Sequence, residues 1–111
     1  MLGRLRRIVV IKMGGSVLGN TAAYESCARF LARRLQRCSH DRFVVVVSAQ
    51  DGLTDALERL ARSAAGNPGQ RALDLLWSTG ETRSVALLTL FLQTKGVEAV
   101  GLNVHETGIR L

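Results

Sequence analysis

The 111-residue sequence has little proline (one), cysteine (two), lysine (two) or aromatic character (five residues). A single proline excludes a collagen-like or proline-rich chain. Cys27 and Cys38 fall on or near one expected helix. There, eleven residues separate them by ~16 Å, beyond the ~7 Å Cα–Cα limit of a disulfide. With no second cysteine pair nearby they make a poor metal site, and no metal is expected. They read as small apolar residues in a reducing compartment. No apolar run approaches the ~20 residues that span a bilayer; the longest, residues 85–92, is interrupted by Thr89. The basic N-terminus is followed by an apolar stretch, residues 8–11, too short for a signal peptide. A soluble, cytoplasmic protein without membrane contact is expected.

The chain is 47% hydrophobic and 22% charged, which excludes intrinsic disorder. Its length suits one domain, residues 1–111, with a single core burying roughly 65% of the unfolded surface. Thirteen arginines and two lysines against nine acids give a net charge of +6, and a basic balance raises the question of nucleic acid. Arg29, Arg33 and Arg37 fall four apart on one helical stripe, but the other arginines scatter. No aromatic interleaves with a basic cluster as strand-stacking platforms require. The arginines therefore read as a solvated face, and nucleic acid is not an expected partner.

Residues 5–11 contain an Ile-Val-Val-Ile run that suits a strand buried on both faces. Over residues 21–37, Tyr24, Cys27, Ala28, Leu31 and Leu35 repeat at helical spacing, with Asn20 or Thr21 as the cap. Residues 43–47 form a second apolar strand, and Leu53, Leu57, Leu60 and Ala64 mark an amphipathic helix. Asn67-Pro-Gly69 is a turn. Residues 71–77 read as helix, Ser78-Thr-Gly80 as a break, and residues 82–95 as a buried helix stopped at Gly96. Residues 97–102 read as a third strand. This order predicts an α/β fold, a three-layer αβα sandwich around a mainly parallel sheet.

In such sheets ligands bind beyond the carboxyl ends of the strands, where the sequence places two unusual segments. Lys12-Met-Gly-Gly-Ser16 pairs a cation with two glycines that can take positive φ and turn successive N–H groups toward an anion. A tight turn is the plainer explanation for two glycines, yet a buried strand has little other reason to end in lysine. Ser48 to Thr54 ends the second strand and opens a helix, whose N-terminus attracts carboxylates and phosphates; capping by Asp51 or Thr54 is its plainer role. Glu81 follows the third polar break and suits either the helix dipole or a ligand amine. His40 and His105 have no partner at a diagnostic spacing and read as surface residues; Trp77 and Tyr24 read as core.

Three segments together resemble the amino-acid kinase family, in its aspartokinase branch. Residues 11–18 (IKMGGSVL) are similar to its opening strand and glycine loop. Residues 45–57 (VVVSAQDGLTDAL) resemble its second strand and Gly-x-Thr helix start, and residues 77–102 its STGE helix. Residues 105–111 resemble the start of the next segment. Ser16 followed directly by Val17 is closer to the acetylglutamate kinase branch, whose His-Gly-Gly motif is absent. The resemblance implies a partial amino-acid kinase fold, the N-terminal portion of a longer domain whose later segments carry a second lysine and a catalytic aspartate. It implies that Lys12 offsets phosphoryl charge; that Gly14, Gly15 and Ser16 hold phosphate oxygens; that Ser48 and Thr54 orient an amino-acid substrate; and that Glu81 binds its ammonium. The implied reaction moves the γ-phosphate of MgATP to a carboxylate. This chain is expected to be inactive alone and to need a second copy or a complementing chain. A non-catalytic paralogue, serving in ligand binding or assembly, is the alternative.

Overall fold

The computed structural model describes residues 6–103 and 106–108. The β-branched runs form two strands, β1 (Ile8–Met13) and β2 (Arg42–Val47). They pair in parallel, with Ile8 opposite Arg42 and Met13 opposite Val47. At their N-terminal ends Arg7 donates to Asp41 through two hydrogen bonds of 3.2 and 2.9 Å. Between the strands runs α1 (Thr21–Arg37), capped as expected by Asn20, whose side chain accepts from the Ala23 amide at 2.9 Å. After β2 come α2 (Leu53–Ala64) and the long α3 (Gln70–Thr94).

The core lies between one face of the sheet and the helices α1 and α3. It gathers Met13, Leu18, Tyr24, Cys27, Ala28, Leu31, Leu88 and Leu92, with Ile11, Val45 and Val47 packed against it. Tyr24 is fully buried, as expected, and Cys27 and Cys38 are free thiols, the first buried. Trp77 is half-buried with its indole N–H sealed from solvent and unpartnered. His40 is exposed, and His105 lies outside the described residues.

Four expectations change. The strands are not buried on both faces: Ile8 (70% exposed), Val10, Val44 and Val46 face outward together. Among the described residues helices cover the other face, as in part of a three-layer αβα fold. Residues 97–102 are not a strand. Val97 and Ala99 turn inward against the core while Glu98 and Val100 turn out, so the alternation of a strand is present without a neighbour to ladder with. The break at residues 78–80 is absent, because α3 runs straight through it. Ser78 and Thr79 donate their hydroxyls back to Leu75 O and Leu76 O, at 2.6 Å each, which keeps both inside the helix. Finally, residues 82–95, expected as a buried helix, bury a single face of α3 and leave Leu90 exposed.

Candidate functional site

Parallel pairing brings the two strand ends together. The Ser48 amide donates to Met13 O at 3.1 Å, so the ladder continues one step past β2 and delivers both following loops to one rim. The glycine loop folds on itself there, with the Val17 and Leu18 amides both donating to Gly14 O at 3.1 Å. Among the described residues, the amides of Gly15 and Ser16 donate to nothing. Two adjacent free N–H groups at a strand end fit an anion such as a phosphate oxygen.

The reason for glycine differs from the expected one. Neither Gly14 nor Gly15 has positive φ. Gly15 is required by close approach: a Cβ there would lie 3.0 Å from Ala49 O, whereas one on Gly14 would meet nothing within 4 Å. Positive φ occurs instead at Gly52 (81°), the residue before α2. Gly52 is the N-cap, without a side-chain cap bond, so neither Asp51 nor Thr54 caps this helix. Thr54 is exposed on its first turn.

The third motif reaches the same rim through packing. Gly80 is buried on α3, and a Cβ there would lie 3.1 Å from both Ala49 Cβ and Leu53 Cδ2. The small residue lets α3 lie against the loop that follows β2. Glu81, the next residue, is exposed in the helix interior rather than on a first turn, so a dipole contact no longer accounts for it. Lys12 lies inside β1 on the outward sheet face, in line with Ile8 and Val10. It forms no ion pair with a described residue.

Gly14, Gly15, Ser16 and Ser48 are therefore one neighbourhood, while Lys12, Thr54 and Glu81 stand around it with no hydrogen bond joining them to it among the described residues. Two residues that sequence reasoning passed over tie the rim together. The Gln50 amide nitrogen donates to Gly19 O at 3.3 Å, and its oxygen accepts from Arg83 Nη1 at 3.0 Å. Their only sequence signal was position, Gln50 inside the Ser48 to Thr54 segment and Arg83 beside Glu81. No group of three His, Cys, Asp or Glu side chains is placed to hold a metal ion among the described residues. No described helix is long and apolar enough to cross a membrane.

The sequence profile of the amino acid kinase family matches residues 7–110. An aspartokinase of Geobacillus stearothermophilus is 38% identical over 102 residues, which make up 92% of this chain and 25% of that protein. An aspartokinase of Thermus thermophilus is 40% identical over the same shares. The solved aspartate kinase from Synechocystis superposes with a TM-score of 0.76 at 39% identity, over 85% of this chain and 16% of that one. The chain thus spans about a quarter of the length of the curated relatives it matches. Its parallel α/β arrangement is a partial amino-acid kinase fold, and the chain belongs to the amino acid kinase family, within which it is aspartokinase-like.

Proposed function

We propose that the chain forms one part of the active site of an aspartokinase-like phosphotransferase in the cytoplasm. The reaction moves the γ-phosphoryl group of ATP to a carboxylate oxygen of an amino acid: the bond to the β-phosphate oxygen breaks, an acyl phosphate forms and ADP leaves. Such transfers depend mainly on positioning and on neutralising charge. In this reading the free Gly15 and Ser16 amides, with Gly14 completing the turn, hold phosphate oxygens. Lys12 offsets the charge that builds on the transferred group. Ser48 and Thr54 orient the amino acid, and Glu81 receives its ammonium. Magnesium bound with ATP would supply further charge neutralisation, and no described residue is assigned to it.

The observation that carries the reading is the contact of Gly15 with Ala49, which sets two unpartnered amides beside the Ser48 strand end. The relatives' greater length supports the further reading that these 111 residues are inactive alone.

Calorimetry and a coupled ADP-release assay with aspartate test both parts. Weak ATP binding, reduced about tenfold or more by Lys12→Ala, is expected, with no turnover by the 111-residue chain. ATP binding indifferent to Lys12 and to Gly15→Val would overturn the site. Turnover by the chain alone, lost in Lys12→Ala, would overturn the inactivity.

A further inference from the structure

The exposed flank of α1 gathers charge that the kinase reading does not use. Arg29, Arg33 and Arg37 recur every fourth residue, which spaces them ~6 Å apart along the helix axis. Only Arg29 is compensated, by Glu25 at 2.7 Å; Arg33, Arg34 and Arg37 form no ion pair with a described residue. Arg34 is held over the Phe43 ring, its guanidinium carbon 5.8 Å from the centroid. Like charges four apart disfavour a helix. The helix dipole rewards Arg34 and Arg37 in the last turn, but not the earlier members of the stripe.

Phe30 lies between Arg29 and Arg33 in the sequence, and folding turns its ring to the same surface. Phe30, 51% exposed, lines a single concavity with Ser26, Arg29, Arg33, Arg34 and Arg37. Phe30 and Ser26 also line the adjoining groove that reaches Ile11 and Lys12 on β1. A basic trough with a half-exposed ring on its floor therefore runs from the strand end along α1.

We propose that this trough binds single-stranded nucleic acid without sequence preference, phosphates lying along Arg29, Arg33 and Arg37 and a base stacking on Phe30. Repeating cations answer the repeating charge of a polynucleotide backbone, and an exposed phenyl ring serves a base, whereas an acidic peptide or polyphosphate has no use for it. Arg29, Arg33, Arg37 and Phe30 have no part in the phosphate site, although the adjoining groove reaches Lys12, and the test does not depend on kinase activity.

The probe is a fluorescein-labelled oligothymidylate of about 12 nucleotides, within the range of small strand-binding sites, titrated by anisotropy across a salt series. Three phosphate contacts predict a slope of log K on log salt near −2, at roughly −0.7 per contact. The double variant Arg33→Gln/Arg37→Gln is expected to shrink that slope by about 1.4. Phe30→Leu is expected to lower affinity about tenfold with the slope unchanged. Circular dichroism confirms that these surface variants keep their helix. Absence of binding at low salt overturns the proposal. So does binding unaffected by Phe30→Leu and displaced equally by polyglutamate or polyphosphate at matched charge.

Discussion

The hydroxyls of Tyr24 and Ser84 lie 2.7 Å apart, each residue fully shielded from solvent. Tyr24 is one turn into α1, just past the glycine loop, and Ser84 is one turn beyond Gly80 on α3. The pair therefore pins the helix that leaves the phosphate loop to the helix that carries Glu81. Either single deletion leaves a buried hydroxyl without its partner, which costs about 1–3 kcal/mol. Tyr24→Phe and Ser84→Ala are each expected to lower the unfolding free energy by that much, seen as a lower urea midpoint at unchanged m-value. The double variant should lose less than the sum, since both changes remove one interaction. Additive losses would mean that the two hydroxyls do not support each other.

Two neighbouring glycines in one motif should respond differently to substitution. Gly14→Ala meets open space and negative φ, and is expected to leave folding nearly unchanged. Gly15→Val drives a branched side chain into Ala49 O, which an added Cβ already approaches to 3.0 Å. Overpacking of that kind costs roughly 1–3 kcal/mol. It should also push the loop off the rim and weaken ATP binding. Thermal midpoints and calorimetry on both variants check the contrast; equal tolerance would mean that the close approach has no role.

Much of this arrangement could be read from sequence because local chemistry decides it. Asn20 ahead of a 3.6-period pattern sets the start of α1, and two β-branched runs separated by a helix set a parallel pair whose ends meet. The errors share a cause. An all-apolar strand does not say which of its faces is covered, so outward Ile8 and Val10 look the same as inward Val9 and Ile11. Residues 97–102 have the alternation of a strand, but strand formation needs a neighbour, and that is a tertiary fact. Gly80 looked like a helix break because its packing against Ala49 and Leu53 is invisible locally. The Gln50–Arg83 hydrogen bond joins long side chains 33 residues apart, with no periodicity to announce it.

Glu25 ties α1 to the C-terminal end of α3. Its carboxylate accepts from Lys95 Nζ at 2.9 Å and from Arg29, and these bonds hold its pKa below the ordinary glutamate value. A carboxylate with a depressed folded-state pKa contributes stability that is present above its unfolded pKa and lost as pH falls through the folded one. Stability is therefore expected to decline as pH falls below the ordinary glutamate range, and Glu25→Gln should flatten that acid limb by lowering stability near neutrality, the two proteins converging at low pH. Melting temperatures of both proteins against pH measure the difference. Because Glu25 is partly exposed, added salt should shrink it; parallel acid limbs would remove Glu25 from the account.

The outward face of the sheet sets Ile8, Val10, Val44 and Val46 side by side in the solvent. Contiguous apolar patches of this kind mark surfaces that associate, and β1 also offers an unpaired edge among the described residues. The radius of gyration, 16.7 Å, exceeds the ~13 Å of a compact domain of about 100 residues. The chain alone should therefore self-associate, with a weight-average mass in light scattering that rises with concentration. Val10→Lys/Val44→Lys places charge on the patch without touching the core side of either strand. That variant should scatter as a monomer with its helical circular dichroism retained. A wild-type chain that stays monomeric over the whole concentration range would show that this face is stable in water and needs neither a second copy nor a complementing chain.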